Sequence, residues 1–191
     1  MNELNFLEQL VSEWYSFLEF DVKTNVRYGK RPKGGFEKEM DVVAFDKKDG
    51  ILFHIETSTD AEPWDARRER FRKKFEIPET YYKTLFPYQR IERIVVVGLA
   101  RPRKTPDFGS GIKVLSVPEF MREIAGRLRQ MNPLREAVPE KYPLLRAVQF
   151  GIRTGGCLGF VGFTGEPEQH QKADNPGKER IVQRPREAIE V

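Results

Sequence analysis

The sequence predicts an α/β protein with a mixed central β-sheet flanked by helices. Three observations support this class. The N-terminal segment spaces its apolar residues as a helix does. A turn ending in Asp49 and Gly50 separates two β-rich runs, as in a hairpin. Residues 94–99 form a continuous, largely β-branched run, which is typical of a strand covered on both faces.

The first helix is predicted over residues 5–20, where apolar side chains recur at steps of three and four. Residues 22–28 alternate between apolar and polar side chains, which indicates a strand. The glycine-rich basic segment 29–35 is expected to be a mobile loop. The chain therefore begins with a helix, a strand and a loop.

The hairpin is predicted from strands at residues 38–46 and 51–57. A helix follows over about residues 63–77, since proline tolerates the first turn of a helix and cannot continue its interior. Its buried stripe consists of Trp64, Phe71 and Phe75.

Strands at residues 94–99 and 112–116 and a helix over 118–131 complete a core predicted over residues 1–131. The order of elements is thus helix, three strands, helix, two strands and helix. A C-terminal extension follows this core.

The extension comprises residues 132–163 and a polar tail, residues 164–191. Residues 142–150 have the spacing of one more helix, which Gly151 can end. The glycine-rich run after it is either a hairpin or a flap, and its pattern fits both. The tail has no aromatic residue and is expected to be largely disordered.

Composition limits the class of protein. A chain of 191 residues fits one domain and an appendage. The lone cysteine, Cys157, excludes an internal disulfide framework and a cysteine-rich zinc site. The N-terminus lacks the basic start of a signal peptide, and no segment has the roughly 20 apolar residues that cross a bilayer. We therefore expect a cytoplasmic protein without a membrane partner.

Basic residues cluster at two places, although the net charge of +4 is modest. Such clusters can grip nucleic-acid phosphates without reading sequence. The alternative is that they are solvated loops. The cationic residues concerned are Arg27, Lys30, Arg31, Lys33, Arg101, Arg103 and Lys104.

Two acidic residues are predicted to face each other across the hairpin. If residues 47–50 form a four-residue loop, Asp46 pairs with Ile51, and the ladder brings Asp41 opposite Glu56 with Cβ atoms about 5 Å apart. Carboxylates this close repel each other unless a cation or hydrogen-bond donors lie between them. A divalent metal meets that need, and oxygen ligands favour Mg²⁺ or Mn²⁺. The alternative is a solvated sheet face whose acids pair with neighbouring lysines.

The residues Glu-Met-Asp41, followed after an interval by Ile-Glu56-Thr-Ser58, resemble the PD-(D/E)xK signature of restriction-endonuclease-like nucleases. The element order over residues 5–131 is similar to that family's core. The resemblance implies a Mg²⁺-dependent endodeoxyribonuclease, with Mn²⁺ as a substitute, in which Asp41 and Glu56 bind the metal together with the Thr57 carbonyl. A homodimer would suit cleavage of both DNA strands.

Two positions depart from the family pattern. Met40 stands where the family often has proline, and Ser58 stands where the catalytic lysine belongs. The second departure leaves an alternative open, a nuclease-like module that binds nucleic acid or a protein partner without cleaving.

The missing lysine can be supplied from the following helix, as in some members of the family. Lys74 is the first candidate, because it lies on the inward-leaning side of that helix. Arg68 and Arg67 are the next candidates, whereas Lys73 projects nearly opposite. The alternative for Lys74 is a side chain that only covers the edge of the core.

Two further residues are considered for the site. The family often contributes a glutamate from its first helix, and Glu13 lies at the margin of the apolar stripe there. His54 shares a strand face with Glu56, but a hydrogen-bonded core histidine is favoured over a metal ligand.

Overall fold

The computed structural model describes residues 5–98, 107–109 and 111–154, without the side chains of the last two. These residues form helices and strands around one sheet and belong to one compact unit. In chain order the elements are α1 (Phe6–Phe17), β1 (Asp21–Lys30), β2 (Phe36–Asp46), β3 (Ile51–Ser58), α2 (Trp64–Phe75), α3 (Glu79–Leu85), β4 (Arg90–Val97), β5 (Ile112–Ser116), α4 (Val117–Arg129) and α5 (Pro143–Thr154).

The sheet is open and mixed, with the strand order β1-β2-β3-β4-β5. The first three strands are antiparallel neighbours, and β4 and β5 continue parallel to β3. The α/β class with a mixed sheet is therefore confirmed. No helix within the described part of the chain is long and apolar enough to cross a membrane.

The turn between β2 and β3 sets the register of the sheet. The Asp46 carboxylate accepts a hydrogen bond from the Lys48 amide at 2.9 Å, and Gly50 has a positive φ of 64°. Asp46 consequently pairs with Ile51, as predicted, and the antiparallel ladder continues from there toward Asp41.

Helices cover both faces of the sheet. Helices α1, α4 and α5 pack on one face against a cluster that includes Val42 and Ile55. Helices α2 and α3 are part of two smaller clusters, one with Val43 and Leu52 and the other with Val95 and Val97. Neighbouring residues of one strand thus serve opposite faces, as the two-residue period of a strand requires.

Three element predictions were wrong in detail. The predicted helix stops at Phe75, and Pro78 directly precedes a second helix, α3. The Pro78 carbonyl accepts the first hydrogen bonds of α3. Strand β4 begins at Arg90 rather than at residue 94, because its polar first residues pair with the start of β3. Helix α5 continues through Gly151 to Thr154.

The predicted loop at residues 29–35 belongs to a second hairpin. Its first two residues are the end of β1. The turn into β2 is closed by a hydrogen bond from the Arg31 amide to the Gly35 carbonyl and another from the Gly34 amide to the Arg31 carbonyl. The basic side chains of Arg27, Lys30, Arg31 and Lys33 are exposed on this hairpin. Residues 155–191 and the cluster Arg101, Arg103 and Lys104 lie outside the described residues.

Glu13 ties α1 to the first turn of α5. Its Oε2 accepts hydrogen bonds from the Leu144 and Leu145 amides at 2.9 and 3.0 Å, and its Oε1 accepts one from Gln9. The side chain is buried. A carboxylate there satisfies helix N-terminal amides and interacts favourably with the helix dipole. In the described structure Glu13 contacts Gln9 and the start of α5, and it makes no contact with Asp41 or Glu56.

We expect Glu13→Ala to destabilise the protein by about 1–2 kcal/mol, because two buried amides of α5 lose their acceptor. Glu13→Gln retains a neutral acceptor oxygen and should cost less. Urea unfolding of the full chain measures both variants. Equal stability of Glu13→Ala and wild type would show that α5 does not depend on this contact.

Candidate functional site

Asp41, Glu56 and Lys74 meet where β2, β3 and α2 adjoin. The Lys74 Nζ donates a hydrogen bond to Asp41 Oδ1 at 2.9 Å and another to Glu56 Oε2. The β2–β3 register ends at the pair Val42 and Ile55, so the next step along the ladder brings Asp41 beside Glu56. The two carboxylates therefore lie within reach of one cation, as the hairpin register predicts.

Burial distinguishes the three groups. The Glu56 side chain is fully buried, that of Asp41 is 12% exposed, and that of Lys74 is 31% exposed. A buried carboxylate needs hydrogen-bond donors or a cation to remain charged. Lys74 provides both to the pair and closes Glu56 off from the surface.

Further donors hold each carboxylate. The Thr57 amide and hydroxyl donate to Asp41 Oδ2 at 2.8 and 3.2 Å. His54 Nε2 lies 2.7 Å from Glu56 Oε1. Each acid thus has one oxygen held by β3 and the other in contact with Lys74. His54 is a fully buried, hydrogen-bonded core histidine, as the sequence favours.

The environment shifts the pKa values of Asp41 and Glu56 in opposite directions. Burial and the Glu56 charge raise the pKa of Asp41 more than Lys74 and Thr57 lower it. Burial would also raise the pKa of Glu56, but the hydrogen bonds from His54 and Lys74 outweigh it and hold that pKa below its usual range. Burial disfavours the Lys74 ammonium, yet the two carboxylates raise its pKa. Lys74 is therefore a protonated cation at neutral pH.

The end of α2 is fixed against β2, which aims Lys74 at the acids. The Lys38 ammonium donates to the Lys73 and Glu76 carbonyls, both at 2.5 Å. The Lys73 carbonyl also accepts a hydrogen bond from the capping Glu76 amide at 3.3 Å. A cation suits the negative end of the helix dipole. Phe71 and Phe75, which are buried, anchor the same helix in the core.

A cavity of about 860 Å³ opens onto Asp41 and Lys74. Its wall includes Glu8 from the first turn of α1 and Asn25, a residue of β1 with a positive φ of 52°. Burial raises the pKa of Glu8, and the Asp41 charge raises it further. Glu8 is thus a third acidic residue that shares the cavity with Asp41 and interacts electrostatically with it. Sequence reasoning selected Glu13 instead.

Ser58 belongs to a neighbouring network rather than to the acid pair. Its hydroxyl donates to Asp60 and accepts from Arg70 at 3.1 Å. Arg67, also a predicted candidate, is buried, and its Nε donates to Asp60 at 2.9 Å. Arg70 also lines the cavity, and the sequence analysis missed it.

The remaining candidate cations do not contact the acids in the described structure. Arg68 is exposed and donates to the Asp107 carbonyl at 3.0 Å and to Asp65 at 3.1 Å. Lys73 is 67% exposed and pairs with Glu69 at 3.3 Å. Lys74 is thus the candidate that the structure brings to both acids.

Comparisons with family models, curated proteins and solved structures gave no significant match. Within the described residues, no group of three or more histidine, cysteine or acidic side chains is arranged to hold a metal ion. The site consists of two carboxylates under one lysine, with a third acid nearby.

The opposite pKa shifts predict opposite effects of neutralising each acid in metal-free buffer. Folded Asp41 binds its proton more tightly than unfolded Asp41. The Asp41 contribution to wild-type stability therefore falls as the pH rises from about 3.9 through the raised folded pKa. Asp41→Asn lacks this loss, so its melting midpoint should rise relative to wild type across that window and remain higher at pH 7.

Glu56→Gln is the matched control. Because the pKa of Glu56 is lowered, its contribution to stability is present above the unfolded pKa of about 4.3 and is lost as the pH falls through the folded pKa. This variant should melt below wild type at pH 7 and approach it in acid. Thermal melts in EDTA from pH 3 to 8 test both. Shifts of the same sign at pH 7 would contradict the assignment.

Proposed function

We propose that this protein is a metal-dependent nuclease of the restriction-endonuclease-like class, which hydrolyses phosphodiester bonds of DNA. The observation that carries the proposal is the meeting of Asp41 and Glu56 with Lys74 at a cavity. The acids come from adjacent strands, and the lysine comes from the following helix. This is the displaced-lysine arrangement that the resemblance implies for a chain with Ser58 at the motif position.

The topology agrees with the proposed class. A helix, an antiparallel three-stranded meander, a helical connection and two parallel strands follow in the order expected from the resemblance. Because unrelated functions share folds, the topology alone does not carry the proposal. Its contribution is that β2 and β3 are adjacent, which places the two acids together.

The donor set suits Mg²⁺ or Mn²⁺. Mg²⁺ is commonly bound by one or two carboxylates together with waters and substrate phosphate, so two acids suffice. Zinc favours nitrogen and sulfur ligands. The described nitrogen group beside the acids is the His54 imidazole, and both of its ring nitrogens are already engaged by Glu56 and Tyr82. Asp41 Oδ1 and Glu56 Oε2, the oxygens that now contact Lys74, would hold the ion, with the Thr57 carbonyl as a further candidate ligand. A bound divalent ion neutralises phosphate charge and acidifies water.

Lys74 acts in this proposal as a fixed positive charge. A lysine with a raised pKa cannot accept a proton at neutral pH, so it does not serve as the general base. Its ammonium can donate hydrogen bonds to the attacking water and to the phosphate oxygens, where negative charge develops. Its position above both acids suits that role.

Glu8 is the candidate that accepts the proton of the attacking water. It lines the cavity, and burial together with the Asp41 charge raises its pKa. A carboxylate with a raised pKa is a stronger base than an ordinary one. Hydrolysis then forms one bond from water oxygen to phosphorus and breaks one ester bond, and the leaving oxygen takes a proton from solvent.

Neutralising either acid should abolish Mg²⁺-dependent nicking of supercoiled plasmid DNA. Asp41→Asn and Glu56→Gln each remove one ligand charge and retain the side-chain shape. Gel assays with purified full-length protein, with Mg²⁺ and with EDTA, measure the loss. Wild-type nicking by either folded variant would exclude that acid as a ligand.

Lys74→Ala should slow nicking by about 10²–10³-fold, as expected for one transition-state contact. It should also bind Mn²⁺ more tightly without DNA, because the ammonium no longer competes for the carboxylate oxygens. Lys73→Ala is the matched control on the next residue and should change neither property by more than about twofold, since an exposed ion pair contributes little. Unaltered cleavage by Lys74→Ala would refute the displaced-lysine role.

The alternative function is a nuclease-like module that binds without cleaving. Ser58 favours it, because the motif position holds a hydroxyl that is engaged by Asp60 and Arg70. Such a module would bind DNA with a salt-dependent affinity and show no nicking with Mg²⁺ or Mn²⁺. A homodimer, expected from cleavage of both strands, would be measured by sedimentation with and without DNA.

A further inference from the structure

His54 joins Glu56 to helix α3 through a buried chain of hydrogen bonds. Its Nε2 lies 2.7 Å from Glu56 Oε1, and its Nδ1 lies 2.7 Å from the Tyr82 hydroxyl. All three side chains are fully buried, and the Phe75 ring packs edge-on against the imidazole at 4.6 Å. Protein groups therefore satisfy both ring nitrogens.

The chemistry of Glu56 fixes the direction of this chain. Its carboxylate is paired with the Lys74 ammonium and can only accept hydrogen bonds, so His54 Nε2 carries the hydrogen that is donated to Glu56 Oε1. In a neutral imidazole the other ring nitrogen carries no proton, so Nδ1 accepts from the Tyr82 hydroxyl.

We propose that His54 is a positioning residue of the acid pair, held by Tyr82 as the Nε2–H tautomer so that it fixes Glu56 Oε1 and leaves Oε2 directed at the cation. This inference rests on the proposed function. Oε2 is the oxygen that Lys74 contacts, so the two oxygens of Glu56 have separate partners. Glu56 is thereby limited to one oxygen toward the cation.

The arrangement explains what α3 contributes to the site. Glu56 is too deeply buried for water to orient it, and without the imidazole only the Lys74 ammonium holds its carboxylate. Partners that orient a metal ligand in this way commonly change metal affinity by about 10–100-fold. A histidine that served packing alone would influence stability but not cation affinity, which separates the two roles.

The tautomer can be measured directly, because the chain has two histidines, His54 and His170. Long-range ¹H–¹⁵N correlation spectra of the full chain, compared with His170→Gln, assign the His54 ring. We expect the Nε2–H pattern at pH 7.5, and in Tyr82→Phe a shifted Nδ1 resonance, because that nitrogen loses its hydrogen-bond donor. An Nδ1–H pattern, or an imidazolium, in the wild type overturns the proposed chain.

Mn²⁺ affinity, measured by electron paramagnetic resonance of the full chain, tests the positioning role. His54→Leu should bind about 10–100-fold more weakly. His54→Gln, whose amide can donate near the position of Nε2, should remain within about threefold of wild type. Thermal melts establish folding, and His54→Asn replaces His54→Leu if the latter does not fold, because its shorter side chain cannot reach Glu56.

The outcomes separate this inference from the proposed function. If wild type binds Mn²⁺ and folded His54→Leu or His54→Asn binds it equally well, the positioning role is overturned and the nuclease proposal stands. If wild type binds no Mn²⁺, both the positioning role and the nuclease proposal are overturned. Weaker binding by His54→Leu with rescue by His54→Gln supports the role, since a packing defect would not be rescued by a hydrogen-bond donor.

Discussion

The site depends on one interaction, the contact of the Lys74 ammonium group with two buried carboxylates. Asp41 and Glu56 approach each other because the β2–β3 turn fixes the register, and that turn closes through the Asp46 side chain and Gly50. Without a cation, two carboxylates in this position would repel and would shed charge by binding a proton. Lys74 offsets this repulsion only if the C-terminus of α2 lies beside the two acids, and Lys38 fixes that end of the helix through hydrogen bonds. The sheet, the helix and the ion pairs are therefore parts of one electrostatic arrangement.

The two faces of the sheet have different roles, one in the core and one at the candidate site. The face that carries Val42 and Ile55 is covered by α1, α4 and α5 and is apolar. On the other face the apolar clusters under α2 and α3 leave room for polar groups between them, and His54, Glu56 and Asp41 occupy it. These polar side chains can be buried at little cost in free energy, because each of their polar atoms has a hydrogen-bond partner. The same strands thus stabilise the fold through alternate residues and support the site through the others.

Local patterns predicted the sheet and the acid pair, because both depend on a two-residue period and one short turn. Helix α3 was missed, since Pro78 fits the end of one helix and the start of another equally well. Glu8 was missed for a different reason. Glu13 adjoins the apolar stripe, whereas the side of α1 that faces the acids is decided by packing on α5 and the sheet. His54 also bonds to Tyr82 of α3 and Ser58 to Arg70 of α2, and no sequence spacing specifies such tertiary contacts.

The charge of the cavity bears on how a nucleic acid could approach. Its wall carries five carboxylates, Glu8, Glu37, Glu39, Asp41 and Glu76, against four cations, Lys38, Arg70, Lys73 and Lys74. All four cations already contact carboxylates or helix carbonyls, so the cavity offers little net attraction to phosphate. On the proposed function a divalent ion reverses this balance next to Asp41 and makes phosphate binding favourable only when it is bound. Among the described residues, the exposed cations of the β1–β2 hairpin are the ones that a module binding DNA without metal could use. Metal dependence of DNA binding, and not only of cleavage, therefore separates the two functions on physical grounds.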